Sequence, residues 1–181
     1  MTLEISVRRA QLDDLSDIVE LRLALLREYG DHPLYGNLQP DVEDRARNLY
    51  RTQLTSFHDT IFVAEIGRRI VGVMRCVDTP SSPLFFPERY CYVSSVYVRP
   101  ADRRKGVLRA LLGAADRWCQ EQGIHEMRLH NSATAVVAEQ AWSALGFEIV
   151  EHVRRRPLDV AGAGGVAHAA AATSDSHPAT R

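Results

Sequence analysis

Residues 96–118 read VYVRPADRRKGVLRALLGAADRW. The stretch opens on a β-branched run, breaks at Pro100 and passes through a basic turn. It then settles into a helical stripe of Val107, Leu108, Leu111, Leu112, Ala115, Trp118 and Cys119, closed by Gly123. Five cations, Arg99, Arg103, Arg104, Lys105 and Arg109, crowd the turn. The ordinary reading of such a run is a solvated helix start. Two features argue for more. Cations are disfavoured at a helix N-terminus, which already carries partial positive charge. Gly106, a poor helix former, falls in the first turn of a helix predicted over 104–122. Unfavourable choices stacked in one place point to a bound anion that offsets them. Unpaired N–H groups would cradle it, Gly106 would let it approach the backbone, and the cations would add charge-assisted bonds.

Working outward, residues 3–9 alternate as a first strand, and 13–30 show Leu15, Ile18, Val19, Leu25 and Leu26 at helical spacing. Arg22 interrupts that stripe; a surface salt bridge is its ordinary explanation. A loop, DHPLYGNLQP, precedes a second helix over 41–54. Two β-branched runs flank Gly67-Arg68 as an antiparallel hairpin. A loop with three prolines and two phenylalanines, DTPSSPLFFPER, leads to the strong strand YCYVSSVYV. After the helix come a short strand, EMRLHN, a short helix, TAVVAEQAWSALGF, and a final strand, EIVEHVRRRPL. The order β-α-α-β-β-β-α-β-α-β predicts an α/β (α+β) domain over 1–160: a mixed sheet with helices on its faces, and the strands flanking the third helix parallel. Residues 161–181, rich in Ala, Gly and Ser, lack the large apolar side chains that would offset ordering entropy and read as a disordered tail.

Composition narrows the function. With 181 residues, 45% hydrophobic and 25% charged, and a net charge of −1, the chain reads as a globular protein with no bulk charge for nucleic acid. The three cysteines, Cys76, Cys91 and Cys119, have no CxxC spacing and read as buried free thiols, with neither disulfide nor metal site expected. No apolar run reaches the ~18 residues of a membrane span. The N-terminal residues read as a strand and not a leader, so a cytoplasmic location is the expectation.

Neither GxxxxGK[ST] nor GxGxxG occurs. The run VYVRPADRRKGVLRALL instead resembles the cofactor motif of the GCN5-related N-acetyltransferases (GNAT), [RQ]-x-x-G-x-[GA] after a strand ending in V-x-P. Arg103, Arg104, Lys105, Gly106 and Val107 fall on its positions. AEIGRRIVGVMR resembles the family's central hairpin and AWSALGF its late helix, so the likeness spans roughly residues 3–158. It departs from the pattern at Leu108, where a small residue is usual, and at Arg104, where a glycine is.

The resemblance implies a GNAT fold with a mostly antiparallel sheet and one splayed parallel strand pair. It implies acetyl-CoA, or another short acyl-CoA, as donor. The diphosphate would lie on Arg103 to Arg109, and the pantetheine along the main chain of Val96, Tyr97 and Val98, with Asn131 and Trp142 beside it. An amine, mostly protonated at neutral pH, must lose a proton before it attacks the thioester. Many relatives carry a carboxylate on this strand where the present chain has Ser94-Ser95, and a tyrosine where it has Trp142. Ser94, Tyr92 and His130 are the remaining catalytic candidates: Ser94 to place a water, His130 as a side chain suited to proton transfer near neutrality. Tyr92 would share a face with Ser94 and Val96 by period-two spacing, unless a bulge intervenes. Tyr35, Phe85 and Phe86 are candidate walls of the acceptor pocket. A small-molecule amine is the expected acceptor; a protein or peptide amine, and a non-catalytic CoA sensor, are the alternatives. No nucleic acid or membrane partner is expected, and a homodimer follows by analogy with such folds.

Overall fold

The computed structural model describes residues 4–158, so the expected tail over 161–181 lies outside the described residues. The chain divides into a compact unit, Met1–Phe147, and a second segment, Glu148–Arg181. The compact unit holds β1 (Ile5–Arg9), α1 (Leu15–Glu28), α2 (Val42–Leu54), β2 (Asp59–Ile66), β3 (Arg69–Pro80), β4 (Arg89–Val98), α3 (Val107–Gln122), β5 (Met127–Leu129) and α4 (Val136–Ser143). The five strands lie in sequence order, antiparallel except for the parallel pair β4–β5. That is the mixed sheet the sequence predicts. In the second segment, residues 148–158 form no strand, contrary to expectation. Their β-branched alternation is a pattern only; an extended run becomes a strand when a neighbour takes up its backbone groups.

Each face of the sheet has its own core. On one side α1 and α2 bury Ile18, Val19, Leu21 and Tyr50 against Ile61, Val63, Ile70, Val73 and Tyr97. On the other, α3 buries Val107, Leu111, Ala115 and Trp118 against Phe62, Val71, Met74 and Val93. Cys76, Cys91 and Cys119 are buried free thiols in this second core, as expected. Cys119 pulls the Cys91 thiol down, but Cys76 and burial outweigh it and push it up to about 12, leaving an unreactive side chain.

Gly72 sets how closely α3 sits on the sheet. A Cβ there would lie 3.0 Å from Val107 Cγ1, 3.2 Å from Leu111 Cδ1 and 3.3 Å from the Tyr97 carbonyl oxygen. The glycine lets the first turns of α3 settle onto β3 beside β4. Gly72→Val is expected to destabilise the fold by about 1–3 kcal/mol through overpacking, read as a lowered Tm. An unchanged Tm would mean the helix has slack at this contact.

Candidate active site

The site begins where the sheet opens. β5 pairs with β4 only at Cys91↔Met127, Tyr92↔Arg128 and Val93↔Leu129. From Ser94 to Val98, β4 has no β5 partner. On its other edge the register with β3 shifts between Val73 and Arg75, and Ser95 takes a left-handed φ of 52°. This is a β-bulge, a device that re-aims a strand's side chains. It places Val96 and Val98 in the α3-side core and Tyr97 on the α1 side. The expected common face for Tyr92, Ser94 and Val96 is therefore broken at the bulge, and Val96 lies on the opposite face. Tyr50, buried in α2, donates a hydrogen bond from its hydroxyl to Ser95 Oγ at 3.0 Å and so braces the bulge from below.

Past β4, the cationic turn is not helical. A 3-10 turn at Pro100–Asp102 leads into a loop, and α3 starts at Val107, three residues later than the periodicity suggests. Gly106 is the N-cap with φ 91°, and Arg104 is also left-handed at φ 59°. Gly106 is thus explained by a backbone hand that only glycine adopts freely. The first helical bond runs from Ala110 N–H to the Gly106 carbonyl at 2.9 Å, so the amides of Val107, Leu108 and Arg109 precede the helical ladder.

The five cations do not act alike. Arg99 pairs with Glu20 at 2.7 Å and donates to the Ile70 carbonyl at 3.0 Å. Arg103 grips Glu28 at 2.7 Å, donates from Nε to the Val98 carbonyl at 2.9 Å and lies over the Tyr97 ring. Lys105 pairs with Asp102 at 3.2 Å. Arg99, Arg103 and Lys105 each brace the turn through these pairs, and Arg104 and Arg109 are the two left without one among the described residues. The Val98 carbonyl is likewise already engaged.

Asp102 is the buried hub of this bracing. It accepts from Arg69 Nη2 at 2.8 Å and from Lys105. Burial alone would raise its pKa, but the two hydrogen-bonded cations hold it below its ordinary 3.8. A depressed folded-state pKa gives stability that is present above the ordinary value and lost as pH falls through the folded value. Asp102→Asn is expected to lower stability at pH 7 by about 1 kcal/mol, since both cations are largely exposed. Denaturant titrations should show the gap from the parent chain closing below about pH 4; a gap constant down to pH 2 would assign the effect to packing.

On the α1 side of the open end, Tyr92 and His130 come together, with the phenol oxygen 3.0 Å from Nδ1. Burial raises the Tyr92 pKa, and nearby Tyr35 and Tyr90 raise it further against Arg75 and Arg22. The phenol is therefore protonated at neutral pH. Ser94 accepts from Arg75 Nη1 at 3.3 Å, and Arg75 is ion-paired with Asp59. Tyr35 stacks on His32 with ring centroids 4.5 Å apart, and Tyr29 meets both edge-on. Phe85 and Phe86 are 68% and 89% exposed. Asn131 reaches Glu139 through a long 3.4 Å contact, and Trp142 packs edge-on to Phe147 against the α3-side core.

A model of the acetyltransferase (GNAT) family matches residues 21–147, from α1 through the opened strand pair and the cationic turn to Phe147. The chain belongs to this family. It is 31% identical over 156 residues to an aminoglycoside N(6')-acetyltransferase type 1 of Stenotrophomonas maltophilia, covering 85% of this chain and 94% of that protein. It is 34% identical over 73 residues to one of Salmonella typhimurium, but there the match covers 40% of this chain and spans only 46% of the relative's length. A predicted acetyltransferase from Clostridium acetobutylicum, solved with acetyl-CoA, shares the fold with a TM-score of 0.70 at 18% identity, covering 85% of this chain and 96% of that one.

Acetyl-CoA is the cofactor of GNAT enzymes, and this site fits it. A Cβ built on Gly106 would meet nothing nearer than Ile5 Cδ1 at 3.9 Å, so the backbone at the α3 N-cap is uncrowded. The first amides of α3 together with Arg104 and Arg109 are a donor set suited to a diphosphate. The unpaired edge of β4 supplies the backbone groups for an extended amide chain. Leu108, where the motif has a small residue, packs against the α3-side core. Tyr50, Arg75, Asp102 and Glu28 were not singled out from the sequence. A charge inside the strand run VGVMRCV and an acid just ahead of the basic turn were the available cues for two of them.

Proposed function

We propose that this GNAT protein transfers an acetyl group from acetyl-CoA to the primary amine of a small molecule. The observation that carries this reading is the hydrogen-bonded Tyr92–His130 pair at the point where β4 and β5 part. The bound donor supplies an activated acyl thioester. The chain must supply a route for the amine's proton. With the His130 proton on Nε2, Nδ1 accepts the Tyr92 hydrogen, and the phenol oxygen faces the incoming amine. As that oxygen takes a proton from the amine, its own passes to Nδ1, so the relay ends in an imidazolium and a neutral phenol. The pair takes over the task that a strand carboxylate performs in many relatives. The similarity to aminoglycoside acetyltransferases supports a small amine as acceptor.

The test is thiol release from acetyl-CoA across small amines, amino acids, aminoglycosides and peptides. Turnover confined to small amines is expected. Preference for peptides would favour the peptide reading. Tight CoA binding with no release from any acceptor would leave a sensor.

A further inference from the structure

The α1 stripe that packs on the sheet runs through Leu15, Ile18, Val19 and Leu26, and Arg22 stands in the middle of it, half-buried. Its helical neighbours at three and four positions are Ile18, Val19, Leu25 and Leu26, so no carboxylate on its own helix can pair with it. The two flanking acids of α1 are committed elsewhere: Glu20 to Arg99 at 2.7 Å and Glu28 to Arg103 at 2.7 Å. Arg22 makes no ion pair or side-chain hydrogen bond among the described residues, so the surface salt bridge that would ordinarily explain it is absent. Its charge is nonetheless felt by Tyr92. Across the same face, Arg75 contacts Ser94, is ion-paired with Asp59, and keeps a buried Nε with no hydrogen-bond partner. Arg128 lies over the Tyr90 ring, 4.1 Å from its centroid, and is paired with Glu126. The carboxylates here are thus matched to other arginines, and Arg22 is left as an uncompensated cation. A half-buried guanidinium with no protein partner is left to solvent, and a ligand carboxylate that takes the place of that water gains a charge-assisted bond.

We propose that Arg22 selects an acceptor that carries a carboxylate close to its reactive amine. This rests on the acyl-transfer reading of the same site. A guanidinium fork suits a carboxylate, and Arg22 has its whole fork free of protein partners among the described residues. The same field disfavours a polycationic amine, which would need free carboxylates where this site presents arginines.

The test compares α-amino acids with their α-amides, and with phosphoethanolamine and an aminoglycoside, in the parent chain and in R22Q and R22K. An amino acid should show a KM at least about tenfold below that of its amide, the scale of one charge-assisted bond. R22Q should erase that difference without changing CoA affinity, which also reports that the fold survives, and R22K should restore part of it. Equal KM for acid and amide, preference for the aminoglycoside, or preference for phosphoethanolamine over every amino acid would overturn the proposal. Calorimetry of the same amino acids against the CoA-bound protein separates the two readings. Binding that R22Q abolishes, without any turnover, would keep the anion site and sink the transfer reading. No binding at all would sink the anion site whatever the turnover.

Discussion

Gly106→Glu is expected to weaken coenzyme A binding by at least about 100-fold while the chain still folds. Two separate effects combine. The backbone at Gly106 has φ 91°, a region where an L side chain is strained by about 1–2 kcal/mol. That strain falls on the loop holding the α3 amides in place. The new carboxylate also puts a negative charge beside the first amides of α3, where it would repel a diphosphate and compete for the same N–H donors. The fold survives because no heavy atom crowds the new Cβ: the nearest is 3.9 Å away. Gly106→Ala separates the two effects, since it carries the strain without the charge. It should cost stability by about 1–2 kcal/mol and affinity by much less than the glutamate does. Calorimetry with CoA decides the matter. Unchanged affinity in Gly106→Glu would remove the cradle from this turn, and with it the assignment of the opened strand edge to the donor.

What could be read from the sequence followed from periodicity. The apolar stripe of α3, the hairpin at Gly67 and the strand YCYVSSVYV at 90–98 are local patterns, and the structure has all three. The features that were hidden depend on residues far apart in the chain. Arg99 and its partner Glu20 are 79 positions apart, Arg103 and Glu28 are 75 apart, and no local signal says that those cations are already occupied. The bulge at Ser95 was invisible for a related reason. It comes from a register shift between two strands, and it alone decides that Val96 turns away from Tyr92. The missing strand over 148–158 is the converse case, a local pattern without its long-range partner. Gly106 was legible as unusual but for the wrong reason: helix propensity drew attention to it, whereas its left-handed φ explains it.

The same distance argument applies to the proposed proton relay. Tyr92 and His130 are 38 positions apart and could be singled out only separately; their 3.0 Å contact turns two candidates into one device. A device has a signature that two independent residues lack. If the amine's proton passes through the phenol to the imidazole, removing either member breaks the whole route. Tyr92→Phe and His130→Ala should each lower kcat by about 100-fold, the lower range for a positioned acid–base group. The double substitution should be little worse than either alone. CoA affinity should hold in all three, because the proposed cradle lies at the other end of the opened strand. Steady-state rates with a competent acceptor, set beside calorimetric CoA affinities, supply both measurements. Multiplicative losses near 10,000-fold would mean that the two side chains act separately. Full activity in His130→Ala would move the proton's destination elsewhere, with Ser94 and a water as the next group to test.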